Sequence, residues 1–543
     1  MAAKRSWPTA TAIAIALLML VASRSFAADA RQRVGSDASE NSNSPEAAID
    51  AMAQRKFGPS LSAAERKLLH AAPLREVPWL GPSDDPDNAA NDTAHAENWG
   101  ADRSVRAELI AWLLSDPDAS RFVHPSGLAL AGARIKGTLD LSYATVDKPL
   151  TLIRCYVPDG INLLAAHLQE ITVRRSRTGA VFGNNAVIRG DATFILGDFG
   201  PVSFMRARID GTLDFTGARI LEAGEDSVNL VEAIVAGDVL FHDGFTTDGI
   251  VYARLAKIGH DLSVHGAEFR GDGEFDAERA LIDGTLYWVE VKHTATTVLD
   301  LEDARAGAIW DDEASWPAAG NLVINGFVYG DIAGGPSDAP SRLRWIALQP
   351  PEWHPQPYRQ LAKVLSEMGR DDGATRVRIA KEIAQRRLGH ESIAQRAWSL
   401  MLEYTIGFGY QPLRALWWIA GFVGLGAILF GWGYRMRIIT PTEEAAYREF
   451  VASGEAPPHY PVFHPLVYSL ENFLPVVELH QDKYWRPNPR HSVRGRTKRD
   501  GDAAEASSLP SRLLRYYLWI HILAGWTITP LLFAGLSGLV RPD

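Results

Sequence analysis

The chain has 543 residues, a composition of 46% hydrophobic and 22% charged residues, a formal net charge of −10 and one cysteine, Cys155. That length is enough for two or three domains with proper cores, so no metal or disulfide staple is needed to hold the fold. A lone cysteine excludes an intramolecular disulfide, and negative charge spread without long runs argues against a nucleic-acid binder.

Residues 1–27, "MAAKRSWPTATAIAIALLMLVASRSFA", set Lys4 and Arg5 ahead of an apolar run and end on small residues, Ser25 and Ala27. This predicts a signal peptide cut after Ala27; an uncleaved anchor helix would leave the rest of the chain on the same side of a membrane. Residues 28–100 are rich in Ala, Asp, Asn and Ser and read as a flexible tether, in which "SAAERKLLHAAP" suits one short helix. Residues 101–120 contain "DRSVRAELIAWLLSD", with apolar side chains at helical spacing, and predict an N-terminal capping helix.

The stretches "ARIKGTLDLSYA", "ARIDGTLDFTGA" and "ALIDGTLYWVEV" begin at Ala133, Ala207 and Ala280. Weaker copies place glycines at Gly137, Gly160, Gly190, Gly211, Gly237, Gly259 (slipped by one), Gly284, Gly307 and Gly330, in steps of about 23, 30, 21, 26, 22, 25, 23 and 23 residues. A period in the low twenties with short alternating strands predicts a solenoid. Residues 121–340 are therefore expected to form a right-handed parallel β-helix, with Leu213 and Phe215 pointing inward and Asp214 outward. The intervals are too short for a strand plus a crossover helix, which disfavours a doubly wound α/β fold. The one long step, of about 30 residues, predicts a loop bulging near residues 174–185. Cys155, in "LTLIRCYV", reads as buried filler.

The pattern changes near Arg342. Residues 353–410 predict a helical neck, in which "YRQLAKVLSEMGRDDGATRVRIAKEIAQRR" forms a hairpin able to close the last coil's unpaired edge. Residues 415–434 and 516–540 are long and apolar enough to be transmembrane helices, the second carrying His521 and Pro530. Residues 435–512 between them form a loop with an interfacial or re-entrant segment at 461–479. This loop holds Arg435, Arg437, Arg490, Arg494, Arg496, Lys498, Arg499, Arg512 and Arg515, whereas only Arg541 follows the second span. The positive-inside rule makes the loop cytoplasmic and the repeats external; the basic residues of the hairpin pull the other way, but charges in a long folded domain orient a chain weakly.

Aligning the coils puts His242 and His265 side by side on the outside, with Asp243 and Glu290 one position further along. Such a pair could bind a metal or run acid–base chemistry, yet no third histidine completes the column, and an exposed polar ladder is the expected reading. Asp210, Asp283, Asp311 and Asp312 lie at corners, where aspartate is mostly turn chemistry. No P-loop, H-E-x-x-H or hydrolase elbow occurs. If ions cross the two-span module, Glu478, His480 and Asp482 are the groups to test, with His521 as their partner. No catalytic, cofactor-binding or metal-ligating residue is assigned, and no cofactor is implied.

The order "GTLDLSYA" and "GTLDFTGA", then "YRQLAKVLSEMGRDDGATRVRIAKE", "YTIGFGYQPLRALWW" and "PLVYSLENFLPVVELHQDKYWRP" resembles bacterial pentapeptide-repeat-like membrane proteins, often labelled membrane-associated oxidoreductases. The resemblance covers residue 128 to the end. It implies a right-handed quadrilateral β-helix, although intervals looser than strict five-residue units make a less regular coil equally possible, and it brings no catalytic residues with it; the signal peptide and the loop charges lead to the expectation of a bacterial inner membrane, with the repeats periplasmic or extracellular. The chain itself has no dinucleotide fingerprint, CxxC or haem-attachment motif. The expected function is a membrane-anchored binding or scaffolding module for protein or glycan partners at the cell envelope. The alternatives are a polysaccharide-active enzyme and a small channel or sensor gated by the β-helix.

Overall fold

The computed structural model describes residues 44–83, 88–221, 226–271, 273–389, 392–488 and 509–539, so the expected signal peptide lies outside the described residues. Within them the repeats form a parallel β-solenoid of about nine coils, followed by helices, two of which are long and apolar enough to cross a membrane.

Each coil contributes up to four short strands, and their side chains alternate between buried and outward. Leu150–Ile153 lies in parallel register with Leu128–Ala131 on one side and Ile171–Arg174 on the other, Leu152 meeting Leu130 and Val173. Every second residue thus adds to one interior column, and the backbone groups are satisfied by the coils above and below. The ladders build sheets of eight, nine and sixteen strands. As expected, Leu213 and Phe215 are fully buried, while the Asp214 carboxylate faces out and accepts from the Thr216 backbone N–H. The middle coils fill the interior with aromatic rings: Phe194, Phe215 and Phe241 stack with centroids 5.9 and 5.4 Å apart. Cys155 is buried in the early coils beside Leu130 and Ser176, and burial pushes its thiol up to about 12, which leaves it inert.

The glycine rhythm has a steric cause. A Cβ on Gly211 would stand 2.6 Å from the Gly190 carbonyl carbon, and one on Gly237 2.8 Å from the Gly211 oxygen. Successive coils touch backbone to backbone at this corner. At the slipped position His260 takes the glycine's place, its N–H bonding the Gly237 carbonyl and its carbonyl the Gly284 N–H. The expected bulge at residues 174–185 is not formed. Strands Ile171–Arg174, Arg177–Thr178 and Val181–Phe182 run straight through it. Gly160 instead packs at a different corner, its Cβ position 2.4 Å from the Ala180 carbonyl, so the 30-residue step is a change of corner. The coils there stay in step, Ile171 pairing with Ala192. Two further corners use a left-handed residue in coil after coil, for example Ala165, Asn185 and Arg206 at one, and Arg154, Arg175 and Leu196 at the other.

Both ends are capped. The stretch read as a tether contains helices α1 (Pro45–Phe57) and α2 (Ala63–Ala71), which bury Ile49, Ala53, Leu68 and Leu69 in the solenoid core. Their apolar side chains are sparse in an alanine-rich sequence and find partners on each other and on the segments around Ser104–Arg106 that open the solenoid, which is why composition alone read them as tether. The expected capping helix starts later than its pattern: Ser104–Arg106 is a strand paired with Arg134–Lys136, and α3 follows as Ala107–Ser115. Buried Arg103 donates to the carbonyls of Gly132 and Ala90 at 2.9 and 2.7 Å.

At the other end α4 (Ala339–Ile346), α5 (Gln356–Glu367) and α6 (Asp371–Leu388) cover the last coil. Gln356 accepts from the Gly326 N–H and donates to the Phe327 carbonyl, and Gln360 donates to the Tyr329 carbonyl. Side-chain amides thus replace the missing next strand, as the hairpin was expected to do. Helix α7 (Ile393–Ile406) leads to the first apolar helix, α8 (Arg414–Arg435). The loop between the apolar helices has structure of its own: α9 (Glu444–Ser453), α10 (Pro465–Phe473), the short α11 (Gln481–Tyr484), and a two-stranded antiparallel pairing of Ile439–Pro441 with Trp485–Pro487. The second apolar helix, α12 (Leu509–Leu536), packs on α8 and α10. A Cβ on Gly525 would lie 1.8 Å from the Phe473 carbonyl oxygen, so α10 and α12 meet at backbone distance.

Candidate functional site

The structure brings His242 and His265 together. Their strands are in register through Leu240 and Ser263, and the rings lie edge to face with centroids 6.0 Å apart. His242 Nε2 is 2.5 Å from the Ser263 hydroxyl, and burial holds its imidazole below the ordinary histidine value. His265 faces Asp243 at 3.5 Å and Glu290 at 3.9 Å, both highly exposed. Among the described residues no group of three or more His, Cys, Asp or Glu side chains is arranged to hold a metal ion.

One coil further along, the adjacent outward column, that of Leu240 and Ser263, carries Tyr287 and then Trp310, both half-buried and stacked at 5.7 Å and 29°. This outer face therefore presents a hydroxyl, two imidazoles, two carboxylates and a flat aromatic step within four adjacent coils. The aromatic pair escaped the sequence reading. Its signal was present, since in "GTLYWVEV" the alternation sends Leu286 and Trp288 inward and Tyr287 outward, and coil alignment sets Trp310 beside it.

A second face is acidic. Tyr252, Asp276 and Asp300 succeed one another in register on the nine-stranded sheet. Asp276 is fully buried and takes a charged hydrogen bond from Arg254. Burial first, and then the neighbouring carboxylates of Asp276, Glu302 and Glu278, hold Asp300 above the ordinary aspartate value against the bond from the Glu302 N–H; burial, Asp276 and Asp300 raise Glu274 likewise. A carboxyl raised in the folded state costs stability above its folded pKa and nothing below its unfolded one. Asp300→Asn, which keeps an acceptor for the Glu302 N–H, is therefore expected to raise the denaturation midpoint at pH 7.5, with the gain vanishing as the pH falls below about 4. Urea melts at the two pH values check this.

The other residues singled out in the sequence have structural employment. Asp312 caps a short helical turn by accepting from the Ser315 N–H, and Asp210 pairs with Arg208. Asp283 is exposed at its corner. Asp311 is not a turn residue: it is buried and forked by Arg342 at 2.6 and 2.7 Å. Glu478, His480 and Asp482 are exposed, while His521 is fully buried on α12. The polar groups around His521 are Ser469, on α10, and Tyr517, at 3.0 and 3.4 Å, not, among the described residues, Glu478, His480 or Asp482. A cavity of about 650 Å³ that the sequence did not announce lies between α4, the start of α5, α6 and the loop "QPPEWHP", lined by Ile346, Trp353, Tyr358 and Ile383 with His354 and Arg387.

No protein-family model matches the chain, and neither the curated proteins nor the solved structures contain a match to it.

Proposed function

We propose that this protein is a membrane-anchored binding or scaffolding module of a bacterial cell envelope, whose solenoid docks a glycan along the face carrying Tyr287 and Trp310. The stacked pair is the observation that supports this most directly. Two flat rings held half out of a rigid sheet suit the apolar faces of successive sugar units, and the hydroxyl and imidazole groups beside them suit the sugar hydroxyls. A stacked, doubly capped solenoid loses little chain entropy on binding, which favours affinity without a deep pocket. The signal-peptide pattern of residues 1–27 and the basic residues between the apolar helices, both read from the sequence, support a periplasmic or extracellular solenoid on an inner membrane. Four short strands per coil support the likeness to pentapeptide-repeat-like proteins.

The test is binding of envelope polysaccharide to the purified full chain by calorimetry. Tyr287→Ala combined with Trp310→Ala is expected to weaken binding by about tenfold or more, while His242→Ala with His265→Ala, at the rim, changes it by about twofold at most. Circular dichroism should be unchanged in both. If the parent chain binds no envelope glycan, or the aromatic variant binds as well as the parent, the reading fails; binding of a protein in its place would move the partner to the other class.

A further inference from the structure

We propose that α7 is a third membrane-contacting element, lying along the membrane–water interface with its apolar face in the lipid and its polar stripe turned to the solenoid cap. This rests on the reading of α8 and α12 as membrane spans.

The helix is amphipathic in an unusual direction. Its polar residues Gln395, Arg396, Ser399 and Glu403 fall on one side, and Ser399 and Glu403 are bonded from α6 by Arg386, whose guanidinium reaches the hydroxyl at 3.3 Å and the carboxylate at 2.5 Å. The opposite side is apolar and uncovered: Ile393, Trp398, Leu400 and Tyr404 are 88, 53, 43 and 63% exposed. In a soluble domain the arrangement would be reversed, with the apolar stripe against the body of the protein.

What covers that face is indicated by what it adjoins. It continues into the first turn of α8, where Leu416 and Trp417 are also exposed. With α8 and α12 it also walls a groove of about 450 Å³, in which Leu400, Met401 and Tyr404 stand against Trp418, Phe422 and Leu523. The Trp418 indole N–H donates to the Tyr404 carbonyl at 2.9 Å, locking the end of α7 to the start of the span. A surface continuous with two membrane-facing helices is met by the same solvent they are. Fourteen residues extend about 21 Å, too short for a hydrocarbon core of about 30 Å, so the helix lies along the interface and does not cross it. Trp398, Tyr404 and Trp417 suit that depth, and Arg396 and Arg414 suit the phosphate level. The interfacial helix would fix the height and tilt of the solenoid above the membrane, which two spans joined to it by a free neck would not.

Site-directed spin labelling of the full chain in vesicles of phosphatidylcholine with phosphatidylglycerol tests this. In a Cys155→Ala background, single cysteines replace Ala397, Met401 and Tyr404 on the apolar face, Gln395 on the polar stripe, and Leu425 and Leu523 on the spans. Collisions with oxygen are expected to dominate at 397, 401 and 404, and collisions with a water-soluble nickel chelate at 395, a reversal following the helical period. Lipid exposure at 425 and 523 together with water exposure at 397, 401 and 404 overturns the interfacial helix alone. Water exposure at all positions overturns the membrane reading as well. Labels at 397 and 404 shielded from both reagents would mean that a second copy covers the face, and would overturn the proposal too.

Discussion

Arg342→Ala is expected to lower the unfolding free energy of the solenoid end by about 3–5 kcal/mol, among the largest effects of any single substitution in this chain. Arg342 lies on α4 and its side chain is fully buried, while its partner Asp311 ends a strand of the penultimate coil and is 7% exposed. The guanidinium forks both carboxylate oxygens and sits near the rings of Trp345 and Trp316, at 5.3 and 5.9 Å. Truncation leaves the carboxylate buried with, among the described residues, the Trp316 indole N–H as its remaining side-chain donor. The cost is that of an uncompensated charge, not of a lost surface bridge, which would be worth about 1 kcal/mol or less. The double variant Arg342→Met with Asp311→Leu separates the two, because removing both charges abolishes the penalty and is expected to recover most of the loss. Denaturation of the full chain in detergent, followed by β-sheet circular dichroism, supplies the cycle. No recovery in the double variant would mean that α4 is held by packing alone. Because α4 and α5 replace the missing strand beyond the last coil, loosening them also exposes a sheet edge, and Arg342→Ala should aggregate on mild heating.

How much of this was legible in the sequence follows from the range of the interactions concerned. The coils were readable because each imposes the same local demands on its own twenty-odd residues: inward residues at every second position, and glycine where coils touch. Even the slipped copy at Gly259 registered correctly, since His260 lies on the column. The false loop at residues 174–185 came from treating all the glycines as one column when two corners use them. The left-handed corners went unread, because arginine, leucine and asparagine occupy them as well as glycine, and only the ladder on either side holds those residues at positive φ. The N-terminal cap was read as tether for the opposite reason: what folds it is the open end of the solenoid, an interaction absent from its own segment. At the candidate site, the histidine pair followed from coil alignment, whereas Tyr287 and Trp310 needed the exact register of two further coils. The buried Arg342–Asp311 pair links residues 31 positions apart in different element types, and no periodicity announces it.

The second large effect is expected at Glu471, in the segment between the two apolar helices. The residue is 9% exposed, and its carboxylate accepts four backbone N–H groups: those of Leu479 and His480 on one oxygen, at 2.9 and 2.6 Å, and those of Gln481 and Asp482 on the other, at 2.7 and 3.1 Å. These are the donors at the start of α11, which have no helical partners of their own. They bend the chain so that His480 takes a left-handed conformation and Trp485 enters a ring of Tyr434, Phe450, Tyr460 and Phe463. Glu471→Ala removes the acceptor for all four donors. With charge-assisted bonds worth about 1.5–3 kcal/mol each and far from additive, a local loss of about 3–4 kcal/mol is expected. The measurement is hydrogen exchange at residues 479–482, where protection should fall by about 100- to 1,000-fold while the solenoid amides keep theirs. Glu471→Gln, which keeps one good acceptor and turns an NH₂ group toward the other donors, should fall between. Unchanged exchange in both variants would mean that the aromatic cluster alone shapes this loop. The carboxylate is thus committed to backbone it must hold in place, and the exposed Glu478, His480 and Asp482 owe their positions to it: any ion-handling role for those three would be lost in Glu471→Ala even though none of them is changed.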